Sequence, residues 1–383
     1  MTAVVGGGPA GAAAACWLAR GGHDVTLYER EAGPAHKVCG DFLSGEALRA
    51  VAALGVDAGA LGAAPITRAR LIAGRHVATG DLPFAAAGLS RRALDEALLT
   101  AACASGATVL RGAGVRGVRA AAGGLHVEGP DIADARVLLA TGKHALRGAP
   151  RPARPGDLVG FKTYLALTPV QTAALRGHVE VVLYDGGYAG LQLVERDHAN
   201  LCLLANRALL AEAGGYDALI AMLARAQPHL ARRLDGAVPL LARPLAIAGL
   251  AYGYVHRPRA DDPAGLLRLG DQGAVIPSLT GDGVSIALHT GRLAASAVAG
   301  GADAAAYHAR LARDLRAQVR RAHALHGLFG TATGRALAVH AARAFPRVIT
   351  LGARATRIPA AAERRAGGTF TEPSSFRRAA ATA

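Results

Sequence analysis

At 383 residues and 51% hydrophobic content, the chain can bury one large core or two ordinary ones, which excludes a disordered or fibrous protein. Its mean hydropathy of +0.25 comes from alanine-rich stretches broken by Arg, Gly and Asp, and no apolar run is long enough to span a bilayer. The formal charge of +15 would suit a nucleic-acid binder, but only Lys37, Lys143 and Lys162 are lysines and aromatics make up 4%, so the arginines read as solvated surface and nucleic acid is not expected as a partner.

The first 31 residues, MTAVVGGGPAGAAAACWLARGGHDVTLYERE, read as strand, glycine turn, helix, strand. Ala3 to Val5 form the first strand, and Gly6, Gly8 and Gly11 supply G-x-G-x-x-G around Pro9 and Ala10. Ala12 to Arg20 form the helix, stopped by Gly21-Gly22, and Val25 to Tyr28 form the second strand. The glycines let backbone approach a pyrophosphate resting on the helix N-terminal amides. Glu29, followed by Arg30, closes the second strand, where a carboxylate accepts from a ribose hydroxyl; that suits FAD or NAD better than a 2′-phosphate.

Next comes HKVCGDFLSGEAL, His36 to Leu48, with Cys39 and Gly40 beside an acid. Leu89 to Leu110 reads as a helix capped by Ser90, with Arg91 in its first turn, followed by a strand after Gly106. A second literal G-x-G-x-x-G, Gly112 to Gly117, lacks a following helix, so Val115 to Val118 and Leu125 to Glu128 are expected to form a hairpin. VLLATGKHALRG is a strand ending at Thr141-Gly142.

Four alternating segments between residues 156 and 255 predict a mostly antiparallel sheet that sets substrate choice. The chain then returns through a strand ending at Gly270-Asp271, a loop containing Pro277, and a helix opening at Gly281-Asp282-Gly283-Val284. From Asp303, Leu311, Leu315, Val319, Ala322 and Leu325 recur at helical spacing as an amphipathic cover. Its basic flank and AFPRVITLGARATR leave room for shallow membrane or partner contact.

Residues 1–155 and 256–300 are thus assigned to a discontinuous nucleotide domain, 156–255 to the substrate domain, 301–368 to C-terminal helices, and 369–383 to a disordered tail. The fold class is α/β: a Rossmann-type domain with an inserted β-sheet-rich substrate domain and a helical C-terminal segment. Cys16, Cys39, Cys103 and Cys202 show no metal-ligand spacing, so no metal is expected, and with no signal peptide the expected compartment is the cytoplasm.

These segments resemble the FAD-dependent oxidoreductases of the glutathione-reductase-like superfamily, in the branch holding aromatic hydroxylases, flavin halogenases and geranylgeranyl reductases. The resemblance covers residues 1 to about 300. It implies FAD with pyrophosphate at Gly6 to Gly11, ribose on Glu29, the ribityl chain near Arg91 and Asp271, and the pyrimidine edge against Gly281 to Val284. Thr141, Gly142, Gly270 and the Cys39-Gly40 loop complete the implied cofactor contacts, and Cys39 either gates substrate, donates a proton, or serves as a small buried apolar group.

Halogenases are less similar, because this chain's single tryptophan, Trp17, lies on the first helix and Lys143 follows a different strand from their lysine. Geranylgeranyl reductases share the Cys-Gly loop, but their Y-x-W-x-F-P signature departs here to YAGLQLV, with Gly190 in the tryptophan place. The hydroxylase Asp-Gly is replaced by Thr141-Gly142, with Arg147 retaining part of the NAD(P)H engagement. CGDFLSGEAL with ATGKHALRG is most similar to bacterial enzymes that modify polyketide or phenolic-lipid secondary metabolites.

The first expectation is therefore an NAD(P)H-dependent monooxygenase that hydroxylates a lipophilic aromatic through a flavin C4a-hydroperoxide, using O2. An ene-reductase of prenyl or lipid double bonds is second, and a non-catalytic flavin-binding partner third. Tyr188, Pro277, His289 and Cys39 are the catalytic candidates, with His256 a further proton-handling group. Substrate identity and oligomeric state are not specified by the residues.

Overall fold

The computed structural model describes residues 2–121, 124–151 and 156–367, so the expected tail lies outside the described residues. Strand β1 (Thr2–Val5) is flanked by parallel partners on both sides, and a strand covered on both faces needs the apolar run Ala3-Val4-Val5. Helix α1 (Pro9–Arg20) begins three residues before the expected Ala12, because proline at a first helical position forfeits no hydrogen bond. Strand β2 (Val25–Glu29) pairs in parallel with β1, Val4 opposite Leu27.

The chain then leaves the nucleotide sheet for β3 (Phe42–Leu43), α2 (Gly45–Ala53, capped by Ser44), β4 (Ala64–Ala73) and β5 (His76–Gly88). It returns with α3 (Arg91–Ala104), whose Ser90 cap accepts from the Ala93 amide at 3.2 Å, and β6 (Thr108–Arg111), parallel to β2. Strands β7 (Gly117–Ala121) and β8 (Gly124–Glu128) form the expected hairpin and run antiparallel into β9 (Ile132–Leu139), which lies parallel to β1.

The second sheet takes β10 (Leu158–Ala166), β11 (Gly177–Tyr184), β12 (Gly187–Leu193) and β13 (Ala199–Asn206), with α4 (Pro169–Leu175) before β11. Three short helices follow, α5 (Arg207–Ala213), α6 (Tyr216–Ala226) and α7 (Pro228–Leu234), then the edge strands β14 (Val238–Pro239) and β15 (Leu245–Ala248). Strand order is β14-β10-β13-β12-β11-β4-β5-β3, with β15 also on β10. The pairs are antiparallel except β11 with β4. Sheet formation here divides the chain differently from the sequence boundaries: β3, β4 and β5 fall within residues 1–155 yet belong to the second sheet.

Beneath that sheet the fully buried Glu180 of β11 binds Arg70 of β4 at 2.8 Å, and His229 and Arg233 of α7 at 2.9 Å each. A carboxylate taken out of water needs such partners. Burial alone would raise its pKa, but hydrogen bonds from His229 and Arg233 win, and it falls to about 2.

Strand β16 (Leu266–Arg268) joins β9 in parallel and leads to α8 (Gly283–Ala299). Helices α1 and α8 meet so closely that a Cβ on Gly291 would sit 2.4 Å from the Ala10 carbonyl; only glycine permits the crossing. Helix α9 (Ala304–Phe329) packs Leu311, Leu315, Val319 and Ala322 inward as the spacing predicts. Helices α10 (Ala332–Ala344), α11 (Arg347–Ala355) and α12 (Ala360–Ala366) complete the described chain.

Candidate active site

The turn from β1 into α1 is closed by glycine where nothing else fits. Gly6 has φ +106°, and a Cβ on Gly11 would lie 1.9 Å from the Gly6 carbonyl oxygen. Gly8 stands at the N-cap position of α1 and Asp282 at that of α8, and neither helix has a side-chain cap. Their first-turn amides therefore remain open to an acceptor from a ligand. Glu29 accepts from the Gly7 amide at 2.6 Å and the Glu31 amide at 2.9 Å, which fixes its carboxylate beside the glycine loop. Arg91 extends over Gly8, its guanidinium 3.2 Å from where a Cβ would stand, and is held by a bidentate pair with Asp95 at 2.6 and 2.7 Å.

A cavity of about 1030 Å³ runs from this turn between the two sheets. Gly40, Gly142 and Gly283 line it, and a Cβ added at any of them would meet no atom within 4 Å, so three backbone segments face open space. Cradled glycine amides, uncapped helix starts, Glu29 and Arg91 together fit FAD: acceptor for ribose, amides and a guanidinium for pyrophosphate, and backbone for the ring edge. Asp271 also lines the cavity, but its carboxylate is engaged by Lys143 at 3.1 Å, and that ion pair raises the lysine's pKa.

Asp41 explains the Cys-Gly-Asp loop. Its Oδ2 accepts from Lys162 Nζ and from Tyr164 hydroxyl, each at 2.6 Å, and its backbone oxygen accepts from Gln192 at 2.9 Å. Asn200 donates to the Cys39 carbonyl at 3.2 Å, so β10, β12 and β13 all grip this loop. Asp41 itself has φ 56°, a left-handed conformation that these partners hold in place. Cys39, half-buried at the cavity, accepts from the Asp41 amide at 3.4 Å.

On the far side, Tyr188 and Tyr252 both reach Ser278, with hydroxyl oxygens 2.5 and 2.6 Å from its Oγ. Both tyrosines and Ser278 line the cavity. Burial pushes both phenols up, so they are protonated donors at neutral pH.

Of the expected residues, Gly8, Pro9, Ala10, Cys39, Gly40, Arg91, Gly142, Gly270, Asp271, Gly281, Gly283, Val284 and Tyr188 reach the cavity. Others serve at one remove. Gly6, Gly11 and Glu29 shape the turn; Thr141 donates to the His144 carbonyl at 2.7 Å; Pro277 lies in the loop whose neighbours Ile276 and Ser278 line the cavity. Arg30 points to Glu31 on the surface, and Arg147 bonds Glu128 there.

Two proton-handling candidates lie outside the cavity lining. His289 is buried on α8 against Asp314 of α9 at 3.3 Å, and His256 is fixed between Tyr254 at 2.8 Å and Asp262 at 3.0 Å. Asp282 is buried as well, with its carboxylate on Arg357 at 2.8 Å and on Gln318 rather than toward the cavity. Trp17 stacks between Arg20 and Arg292, 5.3 and 4.8 Å from its ring, away from the cavity.

Lys162, Tyr164, Tyr252 and Ser278 were not legible as site residues. A lysine in an apolar alternating strand, GFKTYLALT, was the available signal for the first of them.

Residues 1–131 match the family model of an FAD binding domain. Over 338 residues the chain is 27% identical to menaquinone reductase of Mycolicibacterium smegmatis, covering 78% of this chain and 76% of that one. It shares its fold with the flavin-dependent brominase Bmp2, at TM-score 0.74 and 17% identity, over 99% of this chain and 98% of that one. PqsL of Pseudomonas aeruginosa, described as a probable FAD-dependent monooxygenase, aligns at TM-score 0.70 and 19% identity over 88% and 98%. With the glycine turn, Glu29 and the open backbone cradle already in place, the match assigns the cofactor: this chain is an FAD-dependent oxidoreductase with the fold of the flavin monooxygenases and halogenases.

Proposed function

We propose that the protein hydroxylates the aromatic ring of a lipophilic substrate, consuming O2, NAD(P)H and a proton and releasing water and NAD(P)+. The observation that carries this reading is the Tyr188–Ser278–Tyr252 hydroxyl cluster in an otherwise apolar part of the cavity lined by Leu71, Val181, Leu204 and Leu250. A phenolic head can exchange hydrogen bonds with that cluster while its ring and tail occupy the apolar wall. FAD, when bound, supplies the electrons and activates oxygen. The chain's own residues then orient the ring, exclude water and hold a proton at the tyrosine hydroxyls.

A second reading is reduction of a double bond in a prenyl or lipid chain. It draws support from the menaquinone reductase similarity and from tyrosines held protonated, which suit proton delivery to carbon after hydride transfer.

The test is anaerobic reduction of the purified flavoprotein with NADH or NADPH, followed by oxygen with and without an alkylphenol. Hydroxylated product formed only with oxygen supports the first reading. Anaerobic saturation of a polyprenyl chain, with the phenol unchanged, supports the second and overturns the first.

A further inference from the structure

The outer end of the cavity is built by Leu328 of α9, Leu337 of α10, and Val348 and Leu351 of α11. Leu337 and Leu351 are each 62% exposed, and neighbouring Phe345 is 70% exposed. Helix α11 is anchored by its opposite side: Ile349 lies over Gly80 of β5, and Thr350 donates to the Asp81 carbonyl at 2.7 Å. Its outward apolar row is left to solvent. A contiguous apolar rim of this kind around a cavity mouth marks a contact surface.

Charge identifies the contact. Between Asp314 and Glu363 the sequence has eight arginines and no acidic residue, and Arg343, Arg347 and Arg354 are exposed around the rim. The carboxylates this hairpin meets, Asp81 and Asp185, are already paired with Arg68 at 3.2 Å and Arg335 at 3.3 Å. A protein partner seated here would close the cavity mouth, whereas a bilayer would open onto it.

We propose that the α10–α11 face docks on an anionic phospholipid bilayer, with Leu337, Phe345 and Leu351 at the acyl boundary and Arg343, Arg347 and Arg354 among the headgroups. The cavity then opens into lipid, and substrate enters laterally from the membrane; this last step rests on the lipophilic substrate proposed above. Each basic residue near such a surface strengthens binding by roughly fivefold and is screened by salt.

Full-length flavin-loaded protein is sedimented with vesicles of phosphatidylcholine alone or mixed with phosphatidylglycerol. The expected result is binding to the mixed vesicles, lost at high salt, and weakened roughly tenfold or more by Arg343→Glu with Arg347→Glu. Phe345→Glu should weaken it independently. Flavin content and circular dichroism confirm that the variants are folded, and the arginine variant should retain wild-type turnover in detergent.

Absence of binding to the mixed vesicles overturns docking, as does binding that both variants leave intact. Self-association lost in Phe345→Glu would instead assign the face to a second copy. If vesicles fail but a detergent-solubilised alkylphenol is hydroxylated, docking falls and the functional reading stands; binding without any turnover leaves the reverse.

Discussion

Asp41 and Lys162 lie 121 positions apart in sequence and 2.6 Å apart in space, their side chains both without solvent contact. The pair fastens the Cys39-Gly40 loop to the second sheet. Removing one partner leaves an uncompensated buried charge, at about 3–5 kcal/mol. Asp41→Asn should therefore lower the melting temperature and release flavin, whereas Asp41→Asn with Lys162→Met should recover much of the stability. Thermal unfolding with flavin fluorescence reads both, and equal melting temperatures for the two variants would contradict the account.

Gly11→Ala should abolish FAD retention, since its methyl would stand 1.9 Å from the Gly6 oxygen and the turn cannot close. Glu29→Gln should weaken FAD binding by about 10- to 100-fold, the worth of one charge-assisted hydrogen bond of roughly 1.5–3 kcal/mol. Titration of apoprotein with FAD measures both; unchanged affinity in Glu29→Gln would remove Glu29 from the ribose site.

On the reading proposed above, the hydroxyl cluster acts after flavin reduction. Tyr188→Phe with Tyr252→Phe should leave anaerobic flavin reduction by NAD(P)H intact and lower product formation by about 10²–10⁴-fold if these groups hold the transferred proton. Rapid-scanning spectrophotometry combined with product analysis distinguishes the two steps.

His289→Gln should lower stability without changing the spectrum of bound flavin or the turnover of the folded enzyme, because its imidazole faces Asp314 inside the helical layer. A loss of turnover at normal flavin content would return His289 to the chemistry.

Two buried carboxylates shape the pH dependence in opposite senses. Burial pushes Asp282 up to about 7, against the pull of Arg357, so the folded state holds its proton more tightly than the unfolded chain. Its contribution is fully present below the ordinary aspartate range near 3.8 and is lost as pH rises toward 7. Glu180, lowered to about 2, contributes above the ordinary value of 4.5 and loses that contribution as pH falls toward 2. Denaturant unfolding across pH should show the Asp282 slope flattened in Asp282→Asn and the acid limb flattened in Glu180→Gln.

The nucleotide half was legible because its requirements are local. Gly6, Gly8 and Gly11 between an apolar strand and an alanine-rich helix leave few other structures, and Ser90 caps its helix as its position predicts. The hairpin at Gly117–Glu128 was readable for the same reason. Contacts made across long separations were not: Asp41 with Lys162, Lys143 with Asp271, and Tyr188 with Ser278 depend on which strands become neighbours. Alternation in β11 gives its faces but cannot say that β4, more than 100 positions earlier, pairs beside it.

That pairing bears on how such enzymes can be recombined. Because β11 hydrogen-bonds to β4, cutting at residues 156 and 255 would sever a continuous sheet in its middle. A chimera meant to acquire a relative's selectivity must transplant the 42–88 excursion together with the later strands. The second sheet is therefore encoded by two separate stretches of gene, which have to be exchanged as one.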